Sequence, residues 1–595
     1  MRIKLRTNPP SRPGSRHSIS FLLVSLLASG MPAIAQVGGP AQVLTAADVT
    51  ALITTAATAL DDSSLAVAVV DRRGAILGVY GRPATPPRTP DIAVSLARTT
   101  AFFSNDQAPL SSRTVRFISG IHFPAGVPNT PPAALYGVEN INRGCDLGPF
   151  NSGVAIPRPR SLAGTVGTGA GNVPLPCNPR DTRGCAVGGP IEGQDGSPIY
   201  SLGITTGKPN LEDSPNAFPA TGGGLKDVDP GGIPLYRGGK LIGGIGVAGV
   251  PPDRAQYAAL VAAAATGRGL TTALAFPNAL PFPGAVFIDG IRLPFYGSCG
   301  TNLRCIQAEA DGRPSGTAPG SFSQGSMLVP PQSGADAPEG YLIGPRGSPG
   351  GGLTRADVEQ IVNQAIATAD ITRAQVRLPF GQTAKVIIAV TDARGAVLAE
   401  YRMADALFDA VDVVPSKARN AYYFSSREGY EVLRDYVERS TADDYTWEPE
   451  PPDPQFGWAL TSRTIGFGGQ PLFPPGIDLE KTPTAGPWFD LFVYDTLNPC
   501  TEGSGPSRGG NRQFGNQNGI TWFPGSAPLY KDGELVGGLG VSGDGIEQND
   551  LITAGGTVGF EPPQALRVDN SVIRVGSGEE VRLPDLKFPR NPTQR

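Results

Sequence analysis

Histidine is almost missing from this chain: there are two in 595 residues, His17 and His122. A His-rich metal site is excluded, and Ser112 and Ser462 have no histidine that could serve as base in both halves of the chain, so a Ser-His-Asp hydrolase is not supported. No Cys-x-x-Cys occurs, and no Cys-x-x-Cys-His for covalent haem attachment. Beyond the first 35 residues no apolar run reaches the roughly 20 residues that a bilayer span requires. Aromatic residues are scarce, at 7%. Glycine and proline are the residues in excess, 79 and 60 of them, together about 23% of the chain. That lies just below the roughly 25–30% of aperiodic low-complexity chains. Compact cores carrying long, irregular insertions are therefore expected, and the length allows about three to five domains.

The first 35 residues read as an export signal. Arg2, Lys4, Arg6, Arg12 and Arg16 form a basic segment without an acid, Ile19 to Ala28 is a short apolar run, and Ala33-Ile34-Ala35 fits the small-residue cleavage pattern. Cleavage after Ala35 leaves 44 Lys and Arg against 53 Asp and Glu, a net charge of −9 with histidine neutral. Such a chain is no electrostatic binder of nucleic acid, and it has no basic membrane-surface patch. A periplasmic or secreted location permits disulfides. Cys177 with Cys185, and Cys299 with Cys305, would close short loops, leaving Cys145 and Cys500 for a bridge between the repeats described next. Six cysteines nevertheless allow 15 pairings.

Internal repetition dominates the rest. Leu44-Thr45-Ala-Ala-Asp48-Val49 recurs as Leu353-Thr354-Arg-Ala-Asp357-Val358, a threonine cap with an aspartate three residues on. Val-Val-Asp71-Arg-Arg-Gly74-Ala-Ile-Leu recurs as Val-Thr-Asp392-Ala-Arg-Gly395-Ala-Val-Leu, two apolar strands around a turn. Tyr80 aligns with Tyr401, and Ser95-Leu-Ala-Arg98 with Ser416-Lys-Ala-Arg419, at a constant offset of 321. Ser112-Arg113-Thr114 matches Ser462-Arg463-Thr464, and Phe123-Pro124 matches Phe473-Pro474. Pro234-Leu-Tyr236 through Gly249 matches Pro528-Leu-Tyr530 through Gly543, with Lys531-Asp532-Gly533-Glu534 as a hairpin turn.

Each copy thus runs helix, hairpin, helix, irregular segment, hairpin, helix. The fold class is α+β: two tandem domains, each a small antiparallel β-sheet flanked by helices, with long Gly/Pro-rich insertions. The expected boundaries are 36–275 for copy 1, with an insertion at 146–233, a linker at 276–350, copy 2 at 351–556 and a tail at 557–595. Gly244-Ile-Gly246-Val-Ala-Gly249 and Gly538-Leu-Gly540-Val-Ser-Gly543 both spell GxGxxG, but each ends a hairpin instead of opening a βαβ unit. Close packing of a glycine-rich strand on a helix is the expected role.

These motifs resemble the GlcG/HbpS-like haem-binding domain family. The resemblance rests on the Leu-Thr helix start, Val-Val-Asp-x-x-Gly, Tyr401-Arg402-Met403, Ser-Lys-Ala-Arg419 and Gly-Gly-x-Gly-Val-Ser-Gly543. It covers roughly residues 44–265 and 353–556, and copy 2 matches better, since copy 1 has Gly81-Arg82 for Arg402-Met403 and Leu96 for Lys417. It implies a small antiparallel sheet with helices, self-association, and haem or another tetrapyrrole as cofactor. Haem iron takes His, Met, Cys or Tyr. His122 is the candidate iron ligand, set against a plain loop histidine; Met403, Tyr401, Tyr80, Tyr422 and Tyr423 are the others, each set against a core or interface role. Arg98, Arg419, Arg113 and Arg463 suit propionate oxygens, or equally a salt bridge to Asp71 and Asp392. The expected function is an exported haem- or tetrapyrrole-binding protein without its own catalysis. Alternatives are an accessory scaffold for an envelope redox enzyme, and a haem-dependent enzyme. An apolar cleft between the copies, with inward arginines, would favour the first; a filled one would favour the scaffold.

Overall fold

A computed structural model describes residues 43–86, 89–115, 230–265, 285–288, 290–297, 312–440, 444–470, 485–492, 519–576 and 578–586, with residues 274 and 473 and the short ribbon of 160–161 with 173–174. His122 and all six cysteines lie outside the described residues.

Both copies begin as their sequence dictates. Helix α1 (Ala46–Ala59) and helix α4 (Arg355–Ala369) each start in a capping box. The Asp48 amide donates to Thr45 Oγ1 at 3.2 Å and the Thr45 amide to Asp48 Oδ2 at 2.7 Å; Asp357 and Thr354 repeat both bonds at the same lengths. Two amides with no partner inside the helix are thereby satisfied. The helices then diverge. Helix α4 buries Val358, Ile361, Val362, Ala365 and Ala369, one stripe of an amphipathic helix. Helix α1 carries a stripe of Thr50, Thr54 and Thr58 among apolar residues and is buried nearly all round from Ala51 onward.

In copy 1 the hairpin β1 (Ala66–Asp71) and β2 (Ile76–Gly81) and the hairpin β3 (Gly232–Arg237) and β4 (Lys240–Ala248) join through β4 and β1. Strand β5 (Ser326–Val329) completes the order β3-β4-β1-β2-β5. Copy 2 repeats it, with β6 (Gly340–Ile343), β7 (Val386–Asp392), β8 (Val397–Arg402), β10 (Ser526–Lys531) and β11 (Glu534–Gly543) in the order β10-β11-β7-β8-β6. The fold is thus α+β, with two five-stranded antiparallel sheets. The segment 276–350, expected as a linker, supplies the outer strand of each. The tail also folds: β12 (Val572–Val575) and β13 (Glu579–Arg582) join β9 (Tyr445–Glu448) in a third sheet. Four-residue strands in Gly/Pro-rich sequence give too short a period to be seen from sequence alone.

Helix α2 (Thr89–Phe103) crosses one face of the first sheet and helix α5 (Ala410–Ser425) the corresponding face of the second. The GxGxxG segments make this approach possible. A Cβ on Gly244 would lie 2.2 Å from Ala97 O, and one on Gly246 2.1 Å from Ala93 O. On Gly538 it would lie 1.9 Å from Ala418 O, and on Gly540 2.1 Å from Val414 O. No side chain fits there, so the helix backbone lies directly on the strand, as expected from the glycines' place in the hairpin. The opposite faces carry α1 with α3 (Pro252–Ala264), and α4 with α8 (Ile546–Gly556).

Helix α6 (Arg427–Glu438) and helix α7 (Ser462–Gly468) belong to an aromatic lobe of copy 2. It gathers all four tryptophans of the chain, Trp447, Trp458, Trp488 and Trp522. The tail closes this lobe: Trp447 Nε1 donates to Ser571 Oγ at 3.0 Å.

Gly540→Ala is expected to cost about 2 kcal/mol or more through overpacking, read from urea unfolding. Gly344→Ala, where an added Cβ meets nothing within 4 Å, is expected to change stability by less than about 0.5 kcal/mol.

Candidate functional site

The repeated arginines have repeated partners. In each sheet the Asp-x-x-Gly turn is held by its own aspartate. Asp71 Oδ1 accepts from the Arg73 and Ala75 amides, both at 2.9 Å, and Asp392 Oδ1 accepts from the Arg394 and Ala396 amides at the same distance. The glycine follows in left-handed backbone, φ 81° at Gly74 and 76° at Gly395. Its carbonyl receives the buried arginine of the middle helix: Arg98 Nε donates to Gly74 O and Arg419 Nε to Gly395 O, each at 2.8 Å. A guanidinium that suits a propionate suits a turn carbonyl as well. Arg113 and Arg463 bind the last helix of their copies at equivalent positions. Arg113 Nε donates to Gln256 Oε1 at 2.8 Å and pairs with Asp253; Arg463 pairs with Asp550 and with Glu547 at 3.2 Å.

Of the candidate iron ligands, Met403 is buried in the core and its amide bonds Val386 O at 3.1 Å. Tyr80 is sealed: Phe322 stacks on it at 5.1 Å, and its hydroxyl donates to Phe322 O at 3.0 Å. Tyr423 is buried in the aromatic lobe. Tyr422 is half-buried, and burial together with the charge of Asp392 raises its hydroxyl pKa. Tyr401, equivalent to Tyr80, differs: it is half-buried on β8 and meets Tyr341 of β6 edge-on at 4.9 Å. Tyr341 is 41% exposed.

The two copies meet through packed side chains and a network of charges. Phe102 and Phe408 pack at 5.7 Å between ring centres, with the Phe408 amide bonded to Phe102 O at 3.2 Å. Asn105 Nδ2 donates to Val376 O at 3.0 Å. Beside them stands Asp405, in left-handed backbone at φ 62°. Its carboxylate takes Arg72 of copy 1 at 2.6 Å, the Asp106 amide at 3.1 Å and Arg377 of copy 2 at 2.5 Å. Arg377 also pairs with the buried Asp544, and Asp106 with Lys240 at 2.6 Å. Burial pushes the Asp405 carboxyl up, but Arg72 and Arg377 outweigh it and hold the group below its ordinary range. The network is one-sided: the equivalents of Arg72 and Asp405 are Ala393 and Ala84, which cannot pair. No sequence motif marks Asp405, an aspartate between two alanines.

Lys417 is a second buried charge, standing where copy 1 has Leu96. Its Nζ donates to Pro524 O at 2.7 Å, Val541 O at 2.9 Å and Ser542 Oγ at 3.3 Å, and it lies 4.4 Å from the centre of the Phe523 ring. Burial pushes the amine down to about 7, against the pull of Asp550 and Asp409. Burial likewise raises the Asp409 carboxyl to about 7, against Lys417. Among the described residues no cluster of three His, Cys, Asp or Glu side chains is arranged to hold a metal ion, and no helix is long and apolar enough to cross a membrane.

Two outcomes are expected. Asp405→Ala leaves Arg72 with Asp106 and Arg377 with Asp544 but removes their shared counter-ion and should cost about 1–3 kcal/mol, while Glu359→Ala, which breaks an exposed pair with Arg355, should cost less than about 1 kcal/mol; urea unfolding measures both. Because the folded amine of Lys417 releases its proton near pH 7 and the unfolded one near 10.5, the unfolded chain binds more protons between those values. The Lys417 contribution to stability therefore rises with pH across that window. Lys417→Met should flatten this part of the stability–pH profile.

No family model matches the chain, and no curated protein matches it. Among solved structures it is similar to the PduOC:heme complex, at 18% identity over 38% of this chain and 100% of that one, with a TM-score of 0.19. It is also similar to the Klebsiella pneumoniae protein ORFY of the DUF336 family, at 17% identity over 35% of this chain and 90% of that one, with a TM-score of 0.18.

Proposed function

We propose that this chain is an exported haem- or tetrapyrrole-binding protein without catalysis of its own, and that copy 2 carries the ligand at the Tyr401–Tyr341 edge. The observation that carries the reading is the contrast between equivalent tyrosines: Tyr80 is capped by Phe322, whereas Tyr401 is half-buried on β8 and meets the exposed Tyr341 of the outer strand β6. The described join between the copies fits a haem poorly, because Phe102, Phe408 and the Asp405 network fill it. The edge of copy 2 fits better. It offers a phenol of the kind that ligates haem iron, a flat aromatic neighbour, and the exposed cation Arg355 for a propionate. When bound, haem would supply the redox and ligand chemistry of its iron; the chain would supply binding and orientation. His122 is retained as a second candidate ligand.

A second reading, an accessory scaffold without a small ligand, is favoured by the filled join between the copies. Hemin titration of residues 36–595 decides between them. The haem reading expects a saturable Soret band, weakened at least about tenfold in affinity by Tyr401→Phe, a loss of about 1.4 kcal/mol or more. A band that survives Tyr401→Phe and is lost in His122→Ala moves the site to His122. No band in the unaltered protein leaves the scaffold reading.

A further inference from the structure

Strands β5 and β6 are the same strand twice. Ser326-Met-Leu-Val-Pro-Pro-Gln-Ser-Gly334 and Gly340-Tyr-Leu-Ile-Gly-Pro-Arg-Gly-Ser348 align at a shift of 14, sharing Leu328 with Leu342 and Pro331 with Pro345. The structure repeats the shift bond by bond. Met327 lies opposite Tyr80 and Tyr341 opposite Tyr401; Val329 lies opposite Val79 and Ile343 opposite Glu400. The Gln332 amide donates to Leu77 O at 2.8 Å, and the Arg346 amide to Leu398 O at 3.0 Å. The Gln332 side chain donates to Ile76 O and the Arg346 side chain to Val397 O, both at 2.7 Å. The Gly334 amide donates to Leu44 O, and the Ser348 amide to Leu353 O, both at 2.9 Å.

The chain order differs. Strand β6 directly precedes the first helix of its own copy. At the same spacing before Leu44 stand Met31-Pro32-Ala33-Ile34, which carry none of this pattern. Copy 1 instead receives its outer strand from the segment that follows it. The residues just before β5 lie over the C-terminal end of α1. The Gly320 amide donates to Thr58 O at 3.1 Å, the Asp61 amide to Ala318 O at 2.7 Å, and Phe322 caps Tyr80. Gly320 and Gly325 permit the approach: a Cβ on either would lie within 2.4 Å of copy 1 atoms, among them Leu60 O and the Tyr80 hydroxyl.

We propose that the outer edge of copy 1, along β2 and α1, is a strand-acceptor site for extended segments of the pattern apolar-Leu-apolar-x-Pro, filled in cis by residues 326–335. Main-chain pairing supplies the affinity and the alternate side chains supply the selectivity, as in other cases of strand addition. Because the site reads backbone and a short pattern, the β6 sequence can take the place of β5.

The test uses the full chain with specific protease sites inserted after Gly316 and after Asp336. After cleavage, fragment 317–336 is expected to stay bound through gel filtration. Excess synthetic peptide 324–336 should displace it, and peptide 338–350 should do so within about tenfold of the same concentration, a difference of at most about 1.4 kcal/mol. A scrambled peptide should not. Immediate loss of the fragment with copy 1 still protected from hydrogen exchange overturns the proposal, as does a 338–350 peptide no better than the scrambled one. If the cleaved chain does not stay folded, the intact double variant Met327→Tyr, Val329→Ile decides. It gives β5 the apolar residues of β6 and should keep the melting temperature within about 2 °C, whereas Met327→Asp should lower it clearly. A double variant as unstable as Met327→Asp contradicts the acceptor's tolerance.

Discussion

Asp405 joins the two copies. Its carboxylate sits in a left-handed turn after β8 and is held by cations from both sides, Arg72 of copy 1 and Arg377 of copy 2. A largely buried carboxylate loses part of its hydration, recovered only where its partners are placed and fixed. The placement comes from elements already rigid: Arg72 leaves the β1–β2 turn, and Arg377 is itself held by Asp544. The charges therefore specify one arrangement of the two sheets, while Phe102 and Phe408 supply apolar contact beside them. The join is asymmetric, because the equivalent positions are alanines.

Within each copy the corresponding constraint is the absence of side chains at Gly244 and Gly246 of β4 and at Gly538 and Gly540 of β11. Glycine at alternate positions lets the middle helix rest on strand backbone, and this height sets where its arginine reaches. Arg98 and Arg419 then meet the carbonyl of the turn glycine, and Arg113 and Arg463 fasten the last helix. The two arginines of each copy thus form one internal brace. The copies differ elsewhere: Lys417 stands where copy 1 has Leu96, and Arg402 where it has Gly81.

What the sequence made legible was local chemistry. The threonine caps, the Asp-x-x-Gly hairpins and the close-packed glycine strands each depend on a few adjacent residues with one physical use, and each stands where the repeat places it. The outer strands were hidden, because four residues within a Gly/Pro-rich stretch carry no periodicity to recognise. Asp405 was hidden because nothing near it in sequence distinguishes a hub from a surface turn. The arginines were recognisable as important, but their partners were not, since a guanidinium serves a carboxylate, a propionate or a backbone carbonyl with the same donors. Tyr401 was one tyrosine among several until the structure showed Tyr80 capped by Phe322 and Tyr401 half-buried beside the exposed Tyr341.

The contacts around Asp405 and between Phe102 and Phe408 should make the two copies one cooperative body. All four tryptophans lie in the aromatic lobe of copy 2, so tryptophan fluorescence follows that copy, while far-UV circular dichroism follows both. Equilibrium urea unfolding recorded by the two signals on the same samples tests the claim directly. Coincident transitions with one midpoint are the expected result. A dichroism transition that splits in two, with only one part matching the fluorescence, would show that the copies unfold independently and would contradict it.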